Sequence, residues 1–425
     1  RAPTLNQLLD LLQRDDVLGV GEGFWQEVLR GERNFPALSA EALKLRKTSE
    51  GHAAGCRGRR LAAYLDFGVS SCHESVSAEE VVEKLRFGLC TMIRQGSIRK
   101  ELEAIARIKD RKLDFRRAAL VTDGADPRDL VRKGYLEQVV QRAIDSGFDP
   151  VLAVQMATLN VAEHFRLDGV LGGIAPAKYA DMVLIPDLRT IKAEVVISNG
   201  VIIAQDGELR VGPRPADFKG GELKKIQVNP ADFAIQVPRT ETLKIRVMDQ
   251  VTELVTKEAI LDLPAPQGEL KADPDKDLVK VSVISCEGRQ FTGLLRGLGF
   301  RAGAMATSGA WETFSIVVVG ADEADMAVAV NRIFETGGGI AVCSEGKISA
   351  ELALPVAGLL SRLRIEEIVE RLDRIQQRAR ALGFRFADAA LTLAVLTTAA
   401  IPFLRLSEEG LVDLKTGRVV DLVVP

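Results

Sequence analysis

The sequence predicts an α/β fold in which parallel strands alternate with helices. Between Val17 and Leu171, short apolar runs typical of strands alternate with amphipathic segments of helical period, including residues 78–87 and 136–146. An ionisable residue directly follows several of the apolar runs, as in parallel α/β proteins, whose functional groups lie at the carboxyl ends of strands. This arrangement favours part of a (β/α) barrel over an open sheet, although periodicity alone does not distinguish them.

The chain changes character after this region. Short apolar runs between Ala180 and Val211 surround an Asn199-Gly200 pair, which predicts a β-hairpin or a small β-layer. From Gly220 onward, apolar runs and a helical pattern over residues 323–336 predict an independent α/β domain of ordinary size. We therefore predict three domains, which are the C-terminal part of a barrel (1–178), a small β-sandwich segment (179–215) and a C-terminal α/β domain (216–425).

Composition limits the classes of partner and compartment. The 425 residues carry a net charge of -3, and no basic stretch is interleaved with aromatic residues, so nucleic acid is not an expected partner. The five cysteines are scattered without a C-x-x-C pair, which predicts reduced thiols and a cytoplasmic protein. We expect no signal peptide and no membrane partner, because the longest apolar run, 389–404, is interrupted by Pro402 and predicts a buried helix. The start at Arg1 rather than Met suggests a truncated chain.

Four ionisable residues at predicted strand ends are candidate metal ligands. His52 and His73 each follow an apolar run and have small neighbours that leave room for an ion and a substrate, and Glu22 and Asp123 occupy equivalent positions. Two imidazoles and two carboxylates suit Zn, Fe or Mn, and such ions generate hydroxide near neutral pH. The alternative is that the four are separate surface or capping residues. The third histidine, His164, lies within a helical pattern and is expected to be packed or partly exposed there.

Two glycine-rich segments are expected to be structural. Residues 297–303 (GLGFRAG) lack the glycine spacing of a dinucleotide fingerprint and predict a tight turn. Residues 337–339 lack the Lys-Ser/Thr of a phosphate loop and predict a helix stop followed by a turn.

The segments GVGE, EGHAAG, SSCHES and VTDGADPRDL together resemble consecutive strand-end motifs of adenine deaminases in the amidohydrolase superfamily. The resemblance continues in order through MATLNVAEHF, ADMVLI and the C-terminal GLLRGLGFRAGAMA, so it covers nearly the whole chain. It implies an incomplete TIM-like barrel of the amidohydrolase type, a binuclear divalent metal site and a homo-oligomer. In such a site Glu22 would bridge two metals, His52 and His73 would hold the second, and Asp123 would bind the first.

The resemblance also implies a reaction. A metal-bound hydroxide would attack C6 of adenine to give hypoxanthine and ammonia, and Asp123 would carry the proton from the water to the leaving amine. Arg94 and Ser97, in MIRQGS, and Glu74 are expected near the purine substrate.

Three departures from the family pattern matter, of which the first affects the first metal site and the other two leave the substrate open. The first-strand H-x-H motif is absent, Gln95 stands where glutamate is usual, and residues 307–315 (TSGAWETFS) lack the histidine of the corresponding family segment. The chain could therefore be an adenine deaminase that needs its missing N-terminal segment, or an amidohydrolase acting on another cyclic amidine or amide. A non-catalytic paralogue or fragment is the third possibility.

Overall fold

The computed structural model describes residues 3–31, 34–212 and 226–425, and the chain divides into two compact units, residues 1–215 and 216–425. None of the helices in these described ranges is long and apolar enough to cross a membrane.

Parallel strands form the framework of the first unit. They follow one another in chain order as β1 (Gly19–Phe24), β2 (Thr48–His52), β3 (Ser71–Cys72), β4 (Cys90–Arg94) and β5 (Ala118–Val121). β1 pairs with β2, and β3, β4 and β5 form a second parallel sheet. A backbone hydrogen bond of 2.8 Å from the Ser70 amide to the Ser49 carbonyl oxygen joins the two sheets. The predicted α/β class is confirmed, and the strands follow the order expected of successive barrel repeats.

Helices precede, connect and follow these strands, and the amphipathic ones bury an apolar stripe. In the third connection, the Ser77 hydroxyl accepts a hydrogen bond from the Glu80 amide and caps the helix that buries Val81 and Val82. The helices predicted over 78–87 and 136–146 are confirmed to within one residue. The helices are α1 (Leu5–Leu12), α2 (Trp25–Leu29), α3 (Phe35–Lys44), α4 (Gly58–Leu65), α5 (Ala78–Arg86), α6 (Leu102–Ile105), α7 (Pro127–Arg132), α8 (Leu136–Asp145), α9 (Pro150–Ala157) and α10 (Leu159–His164), with 3-10 turns at Ala106–Asp110 and Phe115–Arg117.

A four-stranded antiparallel sheet ends the first unit. Its strands are β6 (Met182–Leu184), β7 (Val195–Ser198), β8 (Val201–Gln205) and β9 (Glu208–Leu209). Asn199 and Gly200 connect β7 to β8 with φ angles of 49° and 77°. Two consecutive positive φ angles define the hairpin turn that an Asn-Gly pair favours, so the predicted β-hairpin is confirmed.

An eight-stranded sheet forms the centre of the second unit. In spatial order its strands are β12 (Thr256–Ala265), β11 (Thr240–Gln250), β15 (Gln290–Arg296), β14 (Leu278–Ile284), β17 (Ile316–Gly320), β16 (Ala304–Thr307), β18 (Gly339–Ser344) and β19 (Lys347–Ala353). Neighbouring strands are antiparallel except for β11 and β15. The domain therefore contains helices and a sheet as predicted, but the sheet is mostly antiparallel. The unit also contains a two-stranded sheet of β10 (Ile235–Gln236) and β13 (Glu269–Leu270) and a three-stranded sheet of β20 (Leu404–Ser407), β21 (Gly410–Asp413) and β22 (Arg418–Val420).

Helices cover both faces of this sheet. Val317 and Val319 of β17 pack in the core on one face, with side chains of α12 (Ile365–Ala381) and α13 (Ala389–Ala394). Ile316 and Val318 point the other way and pack against α11 (Glu323–Thr336). Because side chains alternate between the faces and both faces are buried, the sequence of this strand is continuously apolar. Short 3-10 helices occur at Pro230–Phe233, Pro274–Lys276 and Val395–Thr397.

The helix predicted over residues 389–404 is mostly wrong. Only Ala389–Ala394 is α-helical, and β20 already begins at Leu404. The buried Arg405 guanidinium donates to the carbonyl oxygens of Val395 (3.0 Å) and Ile401 (2.6 Å). The Glu312 carboxylate accepts from the Ala399 amide at 2.7 Å. These side chains form hydrogen bonds with backbone groups that a continued helix would have paired internally. The apolar composition of the segment therefore did not predict where the helix ends.

The glycine-rich segment after α11 ends that helix, as predicted. Gly337 has a φ of 72°, and the Gly338 amide donates to the Ile333 carbonyl oxygen at 2.9 Å. Gly338 itself has a φ of 125°, and a Cβ at this position would lie 2.4 Å from Gly358 Cα. The turn therefore requires glycine both for its backbone conformation and for a close approach of two segments. Gly297, Gly299 and Gly303 likewise have positive φ in the predicted turn.

We expect Gly338→Ala to lower the free energy of unfolding by roughly 2–4 kcal/mol, because the added methyl group meets backbone atoms that cannot move independently. Gly346→Ala is the matched control, since Gly346 also has a positive φ (71°) but open space around its Cβ position. Gly346→Ala should lower the free energy of unfolding by only about 1 kcal/mol. Urea unfolding of the two variants measures both values, and equal losses would show that the close approach contributes nothing.

Candidate metal centre

Glu22, His52 and His73 converge at the carboxyl ends of the first three strands. Glu22 lies on β1, His52 is the last residue of β2, and His73 directly follows β3. Because the strands are parallel, their carboxyl ends share one edge. One Glu22 carboxylate oxygen (Oε2) lies 3.3 Å from His52 Nδ1 and 3.0 Å from His73 Nε2. The potential ligand atoms of the three residues all lie within 4.8 Å of one another.

An irregularity in strand pairing places Glu22 between the two imidazoles. The register of β1 against β2 shifts between Val20 and Gly23, so that Gly21 and Glu22 together face a single residue of β2. An extra residue of this kind changes the direction in which a strand side chain points. The Tyr64 hydroxyl fixes the same region, because it accepts from the His52 amide at 3.1 Å and donates to the Gly23 carbonyl oxygen.

The electrostatics favour an ionised carboxylate at the centre of the cluster. Burial alone would raise the pKa of Glu22, but hydrogen bonds from His52 and His73 outweigh it and lower that pKa to about 2. Burial would lower the pKa of His73, yet its hydrogen bond with Glu22 raises it above the usual value. Two imidazole nitrogens and one carboxylate oxygen at such distances are a donor set suited to a divalent transition metal. The residues therefore fit the metal that the sequence predicts.

Asp123 lies in a second, adjoining cluster with His73 and Glu74, whose potential ligand atoms are also within 4.8 Å of one another. Asp123 follows β5 with a φ of 47°, and its side chain is 41% exposed. The structure thus brings all four residues predicted as metal ligands to the same edge of the strands. Glu74 joins them, with a side chain that is only 10% exposed.

Arg94 holds the carboxylates of this second cluster. Its side chain is 1% exposed, and its Nη1 donates to Asp123 Oδ2 at 2.7 Å and to Glu74 Oε1. Its Nη2 donates to Glu74 Oε2 at 3.2 Å and to Glu101 Oε1 at 3.0 Å. One guanidinium thus joins three carboxylates, and Arg94 orients Asp123 and Glu74 rather than facing open solvent.

Ser97 fixes the loop that follows β5. Its hydroxyl donates to Asp129 Oδ2 at 2.8 Å and accepts from the Asp126 amide at 2.8 Å. These contacts engage the hydroxyl within the protein. A direct contact of Ser97 or Arg94 with substrate therefore remains a prediction. In the structure, Ser97 supports the loop after β5 and Arg94 supports the neighbouring carboxylates.

His164 forms a buried ion pair away from the ligand cluster. Its Nε2 lies 2.9 Å from Glu50 Oε1, and its side chain is 4% exposed. Burial would lower the pKa of His164, but the neighbouring Cys90 and Glu50 raise it to about 9. The packed position expected from the sequence is confirmed. Its partner was missed, although the alternation of strand residues places Glu50 on the same side of β2 as His52.

Comparisons with known proteins agree with this architecture. Residues 59–222 match the model of the amidohydrolase family, and residues 253–418 match the adenine deaminase C-terminal domain. An adenine deaminase of Clostridium botulinum (strain Loch Maree / Type A3) is 33% identical, and the alignment covers 98% of this chain and 71% of that protein. The chain belongs to the adenine deaminase family. The resemblance to adenine deaminases that the sequence motifs indicated is thereby confirmed.

Relatives from distant organisms give the same result. The adenine deaminase of Moorella thermoacetica is 34% identical over 97% of this chain, and that of Archaeoglobus fulgidus is 36% identical over 98%. Each alignment covers 71% of the relative. The similarity to adenine deaminases therefore extends through both units. It favours an adenine deaminase over an amidohydrolase with another substrate and over a non-catalytic paralogue or fragment.

We expect Arg94→Met to lower the free energy of unfolding by about 3–5 kcal/mol, because it leaves buried carboxylates without their cation. Arg107→Met is the matched control, since Arg107 pairs with Glu79 at 3.0 Å but is 63% exposed. A surface pair of this kind contributes about 0–1 kcal/mol. Denaturant unfolding of both variants tests this, and a loss below 1 kcal/mol for Arg94→Met would contradict the described network.

Proposed function

We propose that this chain catalyses the metal-dependent hydrolytic deamination of adenine to hypoxanthine and ammonia. The observation that carries the proposal is the convergence of Glu22, His52 and His73, with Asp123 beside them, in a chain of the adenine deaminase family. A purine is therefore the proposed substrate.

Glu22, His52 and His73 would hold one divalent cation, and Asp123 would contribute to a neighbouring one with Glu22 as the bridging residue. A binuclear site of Mn, Fe or Zn is consistent with these nitrogen and oxygen donors. A bound cation of this class supplies Lewis-acid activation, which makes water a nucleophile near neutral pH.

Asp123 is the proposed proton carrier. In the overall reaction, water oxygen bonds to C6 of adenine, the bond between C6 and the exocyclic nitrogen breaks, and that nitrogen leaves as ammonia. A proton must therefore move from the attacking water to the leaving amine. The Asp123 carboxylate is partly exposed, and Arg94 holds one of its oxygens at 2.7 Å, which orients the carboxylate to accept and return the proton beside the cation that it would help to hold.

The remaining predicted site residues support this group. Glu74 is fixed by Arg94 and its Oε1 lies 3.8 Å from His73 Nε2, so we propose that it lines the purine site beside His73. Ser97 supports the loop beyond Asp123. Arg94 connects Glu74 to Asp123 and keeps the two carboxylates at a fixed separation.

We further propose a cytoplasmic location and a homo-oligomeric state. The five cysteines, all within the described residues, are free thiols, which is typical of a reducing compartment. The homo-oligomer rests on the family resemblance.

We expect the full-length protein reconstituted with Mn, Fe or Zn to release ammonia from adenine, and Asp123→Asn to lower kcat by roughly 100-fold or more, because an amide cannot carry the proton. Asp110→Asn is the matched control, since Asp110 is 73% exposed and pairs only with the neighbouring Lys109 in the described structure. A coupled assay for ammonia release measures kcat for the unaltered protein and for both variants.

Bound metal without turnover of adenine would contradict the proposed substrate. Full activity of Asp123→Asn would contradict the proposed proton carrier while leaving the substrate in place.

A further inference from the structure

Lys84 is a buried cation next to the candidate metal centre. It lies in the last turn of α5, and its side chain faces inward with Val81. Its relative exposure is 1%, whereas Arg86 on the same helix is exposed. A lysine ammonium is among the groups that proteins rarely bury completely, because its removal from water is unfavourable unless each N–H group finds an acceptor.

The Lys84 ammonium finds three acceptors in one short segment. Its Nζ donates to the Glu74 carbonyl oxygen at 2.7 Å, to the Ser75 hydroxyl at 2.9 Å and to the Cys72 sulfur at 3.3 Å. An ammonium group has three N–H donors, so these contacts match its full capacity. The acceptors are a carbonyl, a hydroxyl and a thiol, so the charge is used to bind uncharged groups of the chain.

The segment that Lys84 binds carries a metal ligand. His73 lies between Cys72 and Glu74, both of which contact the ammonium, and its Nε2 lies 3.0 Å from Glu22 Oε2. The same segment is held from another direction, because Arg94 binds the Glu74 carboxylate through two nitrogens. The backbone and the side chain of Glu74 are thus fixed by two separate buried cations.

We propose that Lys84 is a positioning residue that fixes residues 72–75 and thereby sets the affinity of the metal centre. The proposal deepens the proposed function, on whose metal site it rests. Groups that orient metal ligands typically change metal affinity by roughly 10–100-fold when they are replaced.

The first test compares Lys84→Met with Arg86→Met, which removes the same charge from an exposed position of the same helix. Mn²⁺ binding to the full-length protein is measured by titration after removal of metal. We expect the dissociation constant of Lys84→Met to rise by roughly 10-fold or more and that of Arg86→Met to stay within about 2-fold. Lys84→Arg, which keeps the charge and its donors, should recover part of the affinity.

A second measurement reports on the segment without metal. Hydrogen exchange of the apo protein, followed by mass spectrometry, should be faster in peptides spanning residues 70–77 of Lys84→Met and unchanged elsewhere. Arg86→Met should exchange like the unaltered protein. If the unaltered protein binds no Mn²⁺, the proposed function fails. Hydrogen exchange of the apo protein still tests whether Lys84 fixes residues 72–75.

Unchanged Mn²⁺ affinity and unchanged exchange in folded Lys84→Met would overturn the proposal. If Lys84→Met does not fold, Ser75→Ala replaces it, because it removes one acceptor while keeping the cation. Ser75→Ala should then weaken Mn²⁺ binding in the same direction by a smaller factor. Unaltered binding and exchange in Ser75→Ala would overturn the proposal equally.

Discussion

The ionised carboxylate of Glu22, held between the imidazoles of His52 and His73, is the interaction on which the candidate metal centre depends. Glu22 and His52 lie on two different strands and His73 directly follows a third, so the contact exists only when the three strands end at the same edge. The irregular pairing of β1 turns Glu22 toward the histidines, and the Tyr64 hydroxyl joins β1 to β2 beside them. The local backbone geometry therefore determines whether a cation can be held.

Buried cations organise the surroundings of this centre. Arg94 joins three carboxylates, and Lys84 binds three uncharged acceptors in the segment that contains His73. Burying such charges is unfavourable in itself, and removing either one would leave its acceptors unpaired in a poorly hydrated environment. The two cations thus convert a loop and several side chains into a fixed arrangement next to the proposed substrate site.

Much of the site could be predicted from the sequence because strand-end residues in a parallel α/β protein meet at one edge. This rule selected Glu22, His52, His73 and Asp123, and the family resemblance supplied their roles. The family resemblance also placed Arg94 near the substrate, but its pairing with three carboxylates was not predicted, and Lys84 was not selected at all. Arg94 and Lys84 act through partners 7 to 29 positions away along the chain, and their burial depends on packing that no local pattern records.

The fold was predictable to a similar extent. Helices with strong periodicity, such as α5 and α11, were predicted closely because local pattern and packing agree. The segment 389–404 failed because Glu312 and Arg405 satisfy its backbone groups from outside. Such tertiary hydrogen bonds override an apolar pattern that would otherwise suit a helix.

The most direct measurement is anomalous X-ray diffraction at the zinc absorption edge from crystals of the full-length protein loaded with Zn²⁺. We expect a peak with Glu22, His52 and His73 as ligands, at distances of about 2.0–2.2 Å. Zinc bound only elsewhere, or no peak at these three residues, would show that they do not form a metal site.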